Sequence, residues 1–321
     1  MSSLDAHPTA SWSPLHDKFY RRVPVYKMGW SDVDLEQFDV VSAPFGGPIA
    51  YQAYTAALVR AEKRLHVARD HHADAPSVML FTASGRFLSQ FRWDAVRVVK
   101  IGWTDDERLL CICANGIVLM YNLFGEAMQF TLGSESREEG VIDGRIWGTG
   151  LVALLSNFQF VFVSNLKDVR ARRLADAVPP QCSLSRSLEL YVAIGSTIVV
   201  VDQQEAQDQL LNEGPFTRVS VSPNGKLIAL FTTEGKVSVV TADFQRRLSD
   251  ARIYVDNLPF TRLLRCGTDS VILVTDEELV VIGPFGDCIR YNTSDVAHLV
   301  TEIDGTRAIT AKESFIIQKV P

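Results

Sequence analysis

Basic charge is scarce in this 321-residue chain: 32 Lys and Arg stand against 38 Asp and Glu, a formal net charge of −6. Sequence-independent nucleic-acid binding needs concentrated Lys and Arg to displace counterions from phosphates, so this balance speaks against that class. Simple electrostatic docking on anionic lipid is disfavoured for the same reason. Cysteine is also sparse, five residues with no framework spacing, which reads as reduced thiols in a cytosolic protein. Cys111 and Cys113 would share one face of a strand, but two further ligands at usable spacing are missing, so zinc is not expected. The most apolar long stretch, "LVALLSNFQFVFVSNL", is broken by Ser156, Asn157 and Gln159 and falls short of the roughly 20 apolar residues a spanning helix needs. The opening residues have no basic segment leading into an apolar one, so a secretory signal is not expected either. The sequences HExxH, G-x-S-x-G and Walker A are all missing.

What the chain has in quantity is short β-branched or aromatic runs separated by turn residues. "RLLCICANGIVLMYNLFGEAMQF" places Asn115-Gly116 between two such runs, "KLIALFTTEGKVSVVTADFQRRL" places Glu234-Gly235, and "SVILVTDEELVVIGPFGDCIRY" places Asp276-Glu277. Asn-Gly between apolar runs signals a hairpin, because both residues tolerate positive φ. A second turn follows each pair, at Leu123-Phe124-Gly125, Ala242-Asp243 and Pro284-Phe285-Gly286. Each unit therefore reads as three or four antiparallel strands. The units also repeat: "GWTDDERLLCICA" (102–114) aligns without a gap on "SVSPNGKLIALFT" (220–232). Their offset suits three units of about 40 residues, the length of a propeller blade. No long amphipathic helical pattern interrupts the strands, so a parallel α/β sheet is disfavoured.

The expected fold is all-β, a seven-bladed β-propeller in one domain spanning 1–321. Its units run over 38–93, 95–132, 140–175, 183–212, 215–250, 257–293 and 296–320. The last is short of an outer strand, and the alternating run "FYRRVPVYKM" (19–28) can supply it, closing the ring through both termini and removing exposed edges. Residues 52–76 read as an insertion in the first blade, and "GSESREEG" (133–140) as an acidic connector.

Few residues suggest chemistry. Asp70, His71, His72 and Asp74 form a dense set of metal-ligand types, but adjacent histidines point apart, so a solvated loop is the better reading. Arg170, Arg172 and Arg173 make a basic spot. A charged outer strand that blunts edge pairing explains it best, with contact to an acidic partner or a phosphoinositide headgroup as the other reading. Asn292-Thr293-Ser294 matches a glycosylation acceptor that goes unused without a signal peptide. Trp30, Trp93, Trp103 and Trp147 are read as packing between blades. "APFGGPIA" (43–50) lacks the Lys-Ser/Thr and the helix that phosphate cradling needs. Gly46 and Gly47 there suit a tight bend, a hinge of the first blade passing close to a neighbouring strand, with Pro44 and Pro48 stiffening both approaches.

"APFGGPIA", with Pro44, Phe45, Gly46, Gly47 and Pro48, resembles the signature near the start of the vacuolar protein sorting-associated protein 16 family. "SWSPLHDKFYRRVPVYKMGW" (11–30), "FTASGRFLSQFRW", "IGWTDDERLLCICANGIVLMYNLFGE", "SPNGKLIALFT" and "GPFGD" follow in the family's order, and 170–212 matches weakly. The resemblance implies a core subunit of the HOPS and CORVET tethering complexes. It implies a non-catalytic scaffold domain acting in endosome and vacuole or lysosome tethering, SNARE-mediated fusion and protein sorting. No cofactor is implied. The implied partners are the other subunits of those complexes and, through a C-terminal α-solenoid expected to be absent from this chain, a Sec1/Munc18-type subunit. The implied location is cytoplasmic and peripheral on late endosome and vacuole or lysosome membranes, with the isolated domain monomeric. The His-rich segment 60–74 departs from the family pattern. Two other classes compete: a propeller adaptor reading a peptide or phosphoinositide headgroup, and a propeller hydrolase. The hydrolase is disfavoured because the acids fall in turns ("TDDE", "VTDEE") and not in successive first strands.

Overall fold

The computed structural model describes residues 12–30, 35, 38–53, 77–92, 97–174, 190–194, 196–202, 205–222, 224–252, 262–266, 270–275, 278–283, 286–293 and 298–320. Most of the expected insertion (54–76), Trp93, Cys182, the Asp276-Glu277 turn, Pro284, Phe285 and Ser294 lie outside them. Gln52 and Ala53, expected to begin the insertion, instead end the strand Ile49–Ala53.

The chain forms two compact units. The unit Gly29–Glu189 with Val201–Glu205 holds three antiparallel sheets, each built from consecutive strands. The first is Phe38–Ser42, Ile49–Ala53, Ser77–Phe81 and Phe87–Arg92. The second is Val98–Trp103, Leu109–Cys113, Ile117–Tyr121 and Ala127–Thr131. The third is Val141–Trp147, Gly150–Leu155, Phe160–Val163 and Arg172–Arg173. The unit Met1–Met28, Leu190–Val200 and Ala206–Pro321 carries four more. These are Leu190–Ile194, Thr197–Val201 and Ala206–Asp208; then Phe216–Val221, Leu227–Thr232, Lys236–Thr241 and Arg247–Arg252. Arg262–Cys266, Ser270–Val274, Glu278–Ile282 and Cys288–Asn292 form the next. The last joins His298–Glu302, Gly305–Ile309 and Glu313–Val320 to the N-terminal strands Lys18–Lys27 and Ser13–Leu15. Seven up-and-down sheets in chain order, with both ends of the chain in the last, make a seven-bladed β-propeller.

Burial explains why the strands read as they do. Central strands are covered on both faces: every residue of Leu109–Cys113, Ser270–Val274 and Gly305–Ile309 is buried. Leu109–Cys113 and Ser270–Val274 are therefore nearly continuous apolar runs rather than alternating ones, whereas Gly305–Ile309 also buries Thr306 and Arg307. Outer strands such as Ala127–Thr131 are almost wholly exposed and polar or mixed. Leu109, Cys111 and Cys113 pack with residues of the first sheet, and Leu110 and Ile112 with those of the third, so one strand feeds two cores.

The expected closing strand forms. Lys18–Lys27 pairs antiparallel with Glu313–Val320 from Phe19↔Val320 to Lys27↔Glu313, with an irregularity at Pro24 and Tyr26. Ser13–Leu15 adds an unexpected fifth strand beyond it. Tyr20 is fully buried, and its hydroxyl donates to Ser270 Oγ at 2.7 Å. The segment expected as a connector contains a helix, Ser134–Glu139, bracketed by Gly133 and Gly140 at positive φ. Ser136 ties it down, its buried Oγ donating to Leu132 O at 3.2 Å.

Candidate interaction surface

The 44–48 motif is the turn between the first two strands of the first sheet. Ala43 N–H donates to Pro48 O at 2.9 Å and Gly47 N–H to Pro44 O at 3.3 Å. Ser42 Oγ donates to Pro48 O at 3.2 Å. Phe45 and Gly46 both take positive φ, 59° and 75°. Gly46 faces open space, whereas a Cβ on Gly47 would stand 2.6 Å from Ala43 Cβ. The crowding that demands Gly47 thus lies inside the turn, not against a neighbouring strand, and the motif is a hairpin turn rather than a hinge. Trp103 anchors it from the second sheet, its Nε1–H donating to Val41 O at 3.2 Å.

The turn lifts Phe45 into solvent, 63% exposed, in a backbone region that bulky residues seldom occupy. Two other aromatics stand at the same end of these sheets. In an up-and-down sheet the first and third connections share one end; Phe45 lies in the first connection of sheet one. Phe87 opens the strand after its third connection and is 59% exposed. Phe124 lies in the third connection of sheet two and is 89% exposed. The Phe124 turn is built as firmly as the first. Asn122 Oδ1 accepts from Phe124 N–H at 3.0 Å and from Glu126 N–H at 2.9 Å. Gly125 has φ 92°, and a Cβ there would meet Phe91 Cε1 at 2.9 Å. Phe91 in turn stacks on Tyr121 at 4.5 Å and 3°. Ser89 Oγ donates to Leu123 O at 3.3 Å, joining the outer strand of sheet one to this turn. Phe87 projects from a buried aromatic row in which Phe81 lies 5.9 Å from it, 4.9 Å from Tyr51 and 5.3 Å from Trp30. Exposed aromatics on rigid turns and strand starts have the character of protein contact sites. Of the three, the sequence reading singled out only Phe45. The signal for Phe124 was present in the recurring Phe-Gly at turns, in "PFGG", "LFGE" and "PFGD".

The basic spot is partly neutralised within its own unit. Arg170 Nε lies 3.1 Å from Asp168 Oδ2, and Arg173 Nε lies 2.5 Å from Glu135 Oε2. Arg172 and Arg173 form the outer strand, pairing with Phe162 and Val161, so they project to opposite faces; Arg170 precedes the strand.

Other candidate groups sit where chemistry is hindered. Cys111 and Cys113 are buried, and burial pushes both thiols up, Cys113 to about 11. Trp103 is buried and Trp30 packs edge-on against Tyr51 and Phe81. Among the described residues no three His, Cys, Asp or Glu side chains come together to hold a metal ion, and no helix is long and apolar enough to cross a membrane. Asp70, His71, His72 and Asp74 lie outside the described residues. The sequence reading also missed a buried ion pair, Arg307 Nε to Glu302 Oε1 at 2.8 Å, with side chains 2% and 7% exposed. Its members lie on the two strands of one hairpin of mixed polar and apolar composition, which gives no cue to their burial.

This architecture defines the class: the chain is a β-propeller domain. The solved BBS1N, crystallised in complex with ARL6DN, matches over 92% of this chain and 96% of its own at TM-score 0.61 and 12% identity. The Myceliophteria thermophila Cps50 (Swd1) β-propeller domain matches over 91% and 99% at TM-score 0.53 and 10% identity. These likenesses speak to fold alone. The family is fixed by sequence: a family model described as "Vps16, N-terminal region" matches residues 8–321, and the chain belongs to that family. Among relatives, Protein VACUOLELESS1 of Arabidopsis thaliana is 30% identical over 97% of this chain and 40% of its own length. The vacuolar protein sorting-associated protein 16 homolog of Dictyostelium discoideum is 31% identical over 97% and 39%. The chain thus spans about two-fifths of the length of these relatives.

Proposed function

We propose that this chain is a non-catalytic interaction domain of a vacuolar protein sorting subunit, a core component of the HOPS and CORVET tethering complexes. It acts in endosome and vacuole or lysosome tethering, in SNARE-mediated fusion and in protein sorting. The observation that carries this reading is the family match across residues 8–321. The turn-mounted aromatics Phe45, Phe87 and Phe124 give it a physical means, since apolar surface on a rigid scaffold binds protein without reorganisation. The partners are other subunits of the two complexes; a Sec1/Munc18-type subunit is engaged through the family's C-terminal solenoid. The location is the cytoplasmic face of late endosome and vacuole or lysosome membranes, held peripherally through the complex.

Replacing the native subunit by one lacking residues 1–321 is the test. Loss of complex assembly or of vacuole fusion is expected, and full assembly with full fusion would overturn the proposal.

A further inference from the structure

One sheet differs from the rest. Among the described residues six of the seven have four or five strands, whereas Leu190–Ile194, Thr197–Val201 and Ala206–Asp208 make a sheet of three. Residues 209–215, between Asp208 and Phe216, form no strand. Ala206–Asp208 is therefore the outer strand among the described residues, and all three are exposed.

Two bonds fix what this edge offers. Gln209 N–H donates to Ile198 O at 2.9 Å, and Asp202 N–H donates to Glu205 O at 3.0 Å. Both belong to one antiparallel register, which sets Gln207 opposite Val200 as a bonded pair. Alternation then turns the N–H and C=O groups of Ala206 and Asp208 away from Thr197–Val201. The Asp208 side chain stabilises the far end: its Oδ1 accepts from Thr197 Oγ1 at 2.5 Å and from Leu210 N–H at 2.8 Å. The Thr197 bond and then the Leu210 bond hold that carboxyl below its ordinary value.

Other edges of the same unit carry the residues that discourage pairing. Arg247–Arg252 has Arg247 and Arg252, Cys288–Asn292 has Arg290, and Ser13–Leu15 has Pro14. Ala206–Asp208 has neither Pro nor a cation. From Leu190 to Thr217 the sequence holds Asp202, Glu205, Asp208 and Glu213 and no Lys, Arg or His. Glu213 is already paired with Lys236 and Arg247.

We propose that the Ala206–Asp208 edge takes up an extended segment of a partner protein by strand addition, and that the segment carries Lys or Arg at alternate positions. Main-chain bonds to Ala206 and Asp208 supply affinity, and the acidic surroundings select the basic sequence. The inference stands apart from the tethering reading, and the failure of either leaves the other intact.

The probe is a fluorescein-labelled seven-residue peptide of alternating Lys and Val, set against an alternating Glu and Val peptide. A third peptide is the Lys-Val sequence N-methylated at alternate amides, which cannot donate on one edge. Binding to the chain is read by anisotropy, and amide hydrogen exchange is followed residue by residue. The expected result is binding of the Lys-Val peptide alone, with about tenfold or greater slowing of exchange at Ala206 and Asp208 and little change at the already bonded Gln207. Ala206→Pro, which removes an outward N–H, should weaken binding about tenfold. Equal binding of the Glu-Val or N-methylated peptide, protection elsewhere, no binding, or concentration-dependent self-association lost in Ala206→Pro would each overturn the proposal.

Discussion

Gly46 and Gly47 are adjacent yet constrained by different physics. Gly46 takes φ 75° with nothing near its missing Cβ, so Gly46→Ala costs only backbone strain, about 1 kcal/mol. Gly47→Ala must push against Ala43 and is expected to cost about 1–3 kcal/mol. Urea unfolding of both variants should rank Gly47→Ala as the less stable. At the Arg307–Glu302 pair, burial lowers the guanidinium from its ordinary value and Glu302 opposes that. Glu302→Gln removes the opposing charge from a buried site and should cost about 3–5 kcal/mol. Replacing both residues by Met should cost less than that single change, and a double-mutant cycle measures the difference. Thiol reactivity follows burial in the same way. With iodoacetamide at pH 7.5 and residue-resolved mass spectrometry, exposed Cys288 should be modified in the folded chain, and Cys111 and Cys113 only after unfolding.

At the scale of elements, the N-terminal strand carries the heaviest single duty. It pairs along Glu313–Val320 and inserts Tyr20 beside Ser270. Tyr20→Phe should cost about 1 kcal/mol through the lost bond to Ser270. Removing residues 1–28 uncovers the whole edge of Glu313–Val320, and the truncated chain should lose cooperative thermal unfolding and aggregate. The strand was legible in the sequence because "FYRRVPVYKM" alternates and no other alternating run lies nearby to pair with it. Runs of β-branched and aromatic residues set between turns placed most other strands, since turn chemistry such as Asn115-Gly116 announces a hairpin regardless of what packs around it. That reading failed in two places. Ser134–Glu139 is helical although its charges suggested a plain connector, because the buried Ser136 fixes it in place. Ser13–Leu15 is too short to show a period at all.

For the whole molecule, the blade count could be read from sequence because each blade repeats one local plan, while the grouping of the exposed aromatics could not. Phe45, Phe87 and Phe124 are far apart in sequence, and only the shared end of two adjacent sheets relates them. Hydrophobicity alone does not mark them, since buried Phe81 and Phe91 lie within a few residues of exposed Phe87. Outward projection is a property of the pleat and the turn. The proposed function has this propeller bind protein through such a surface rather than act as a catalyst. Its most direct test is co-purification of the chain with each other subunit of the two tethering complexes, one at a time at physiological salt. The native chain should be compared with one carrying Phe45→Asp, Phe87→Asp and Phe124→Asp. A stable pairing with at least one subunit is expected, and the triple variant should weaken it by about tenfold or more while keeping its native circular dichroism. Failure of the native chain to pair with any subunit, or undiminished pairing by the variant, would contradict it.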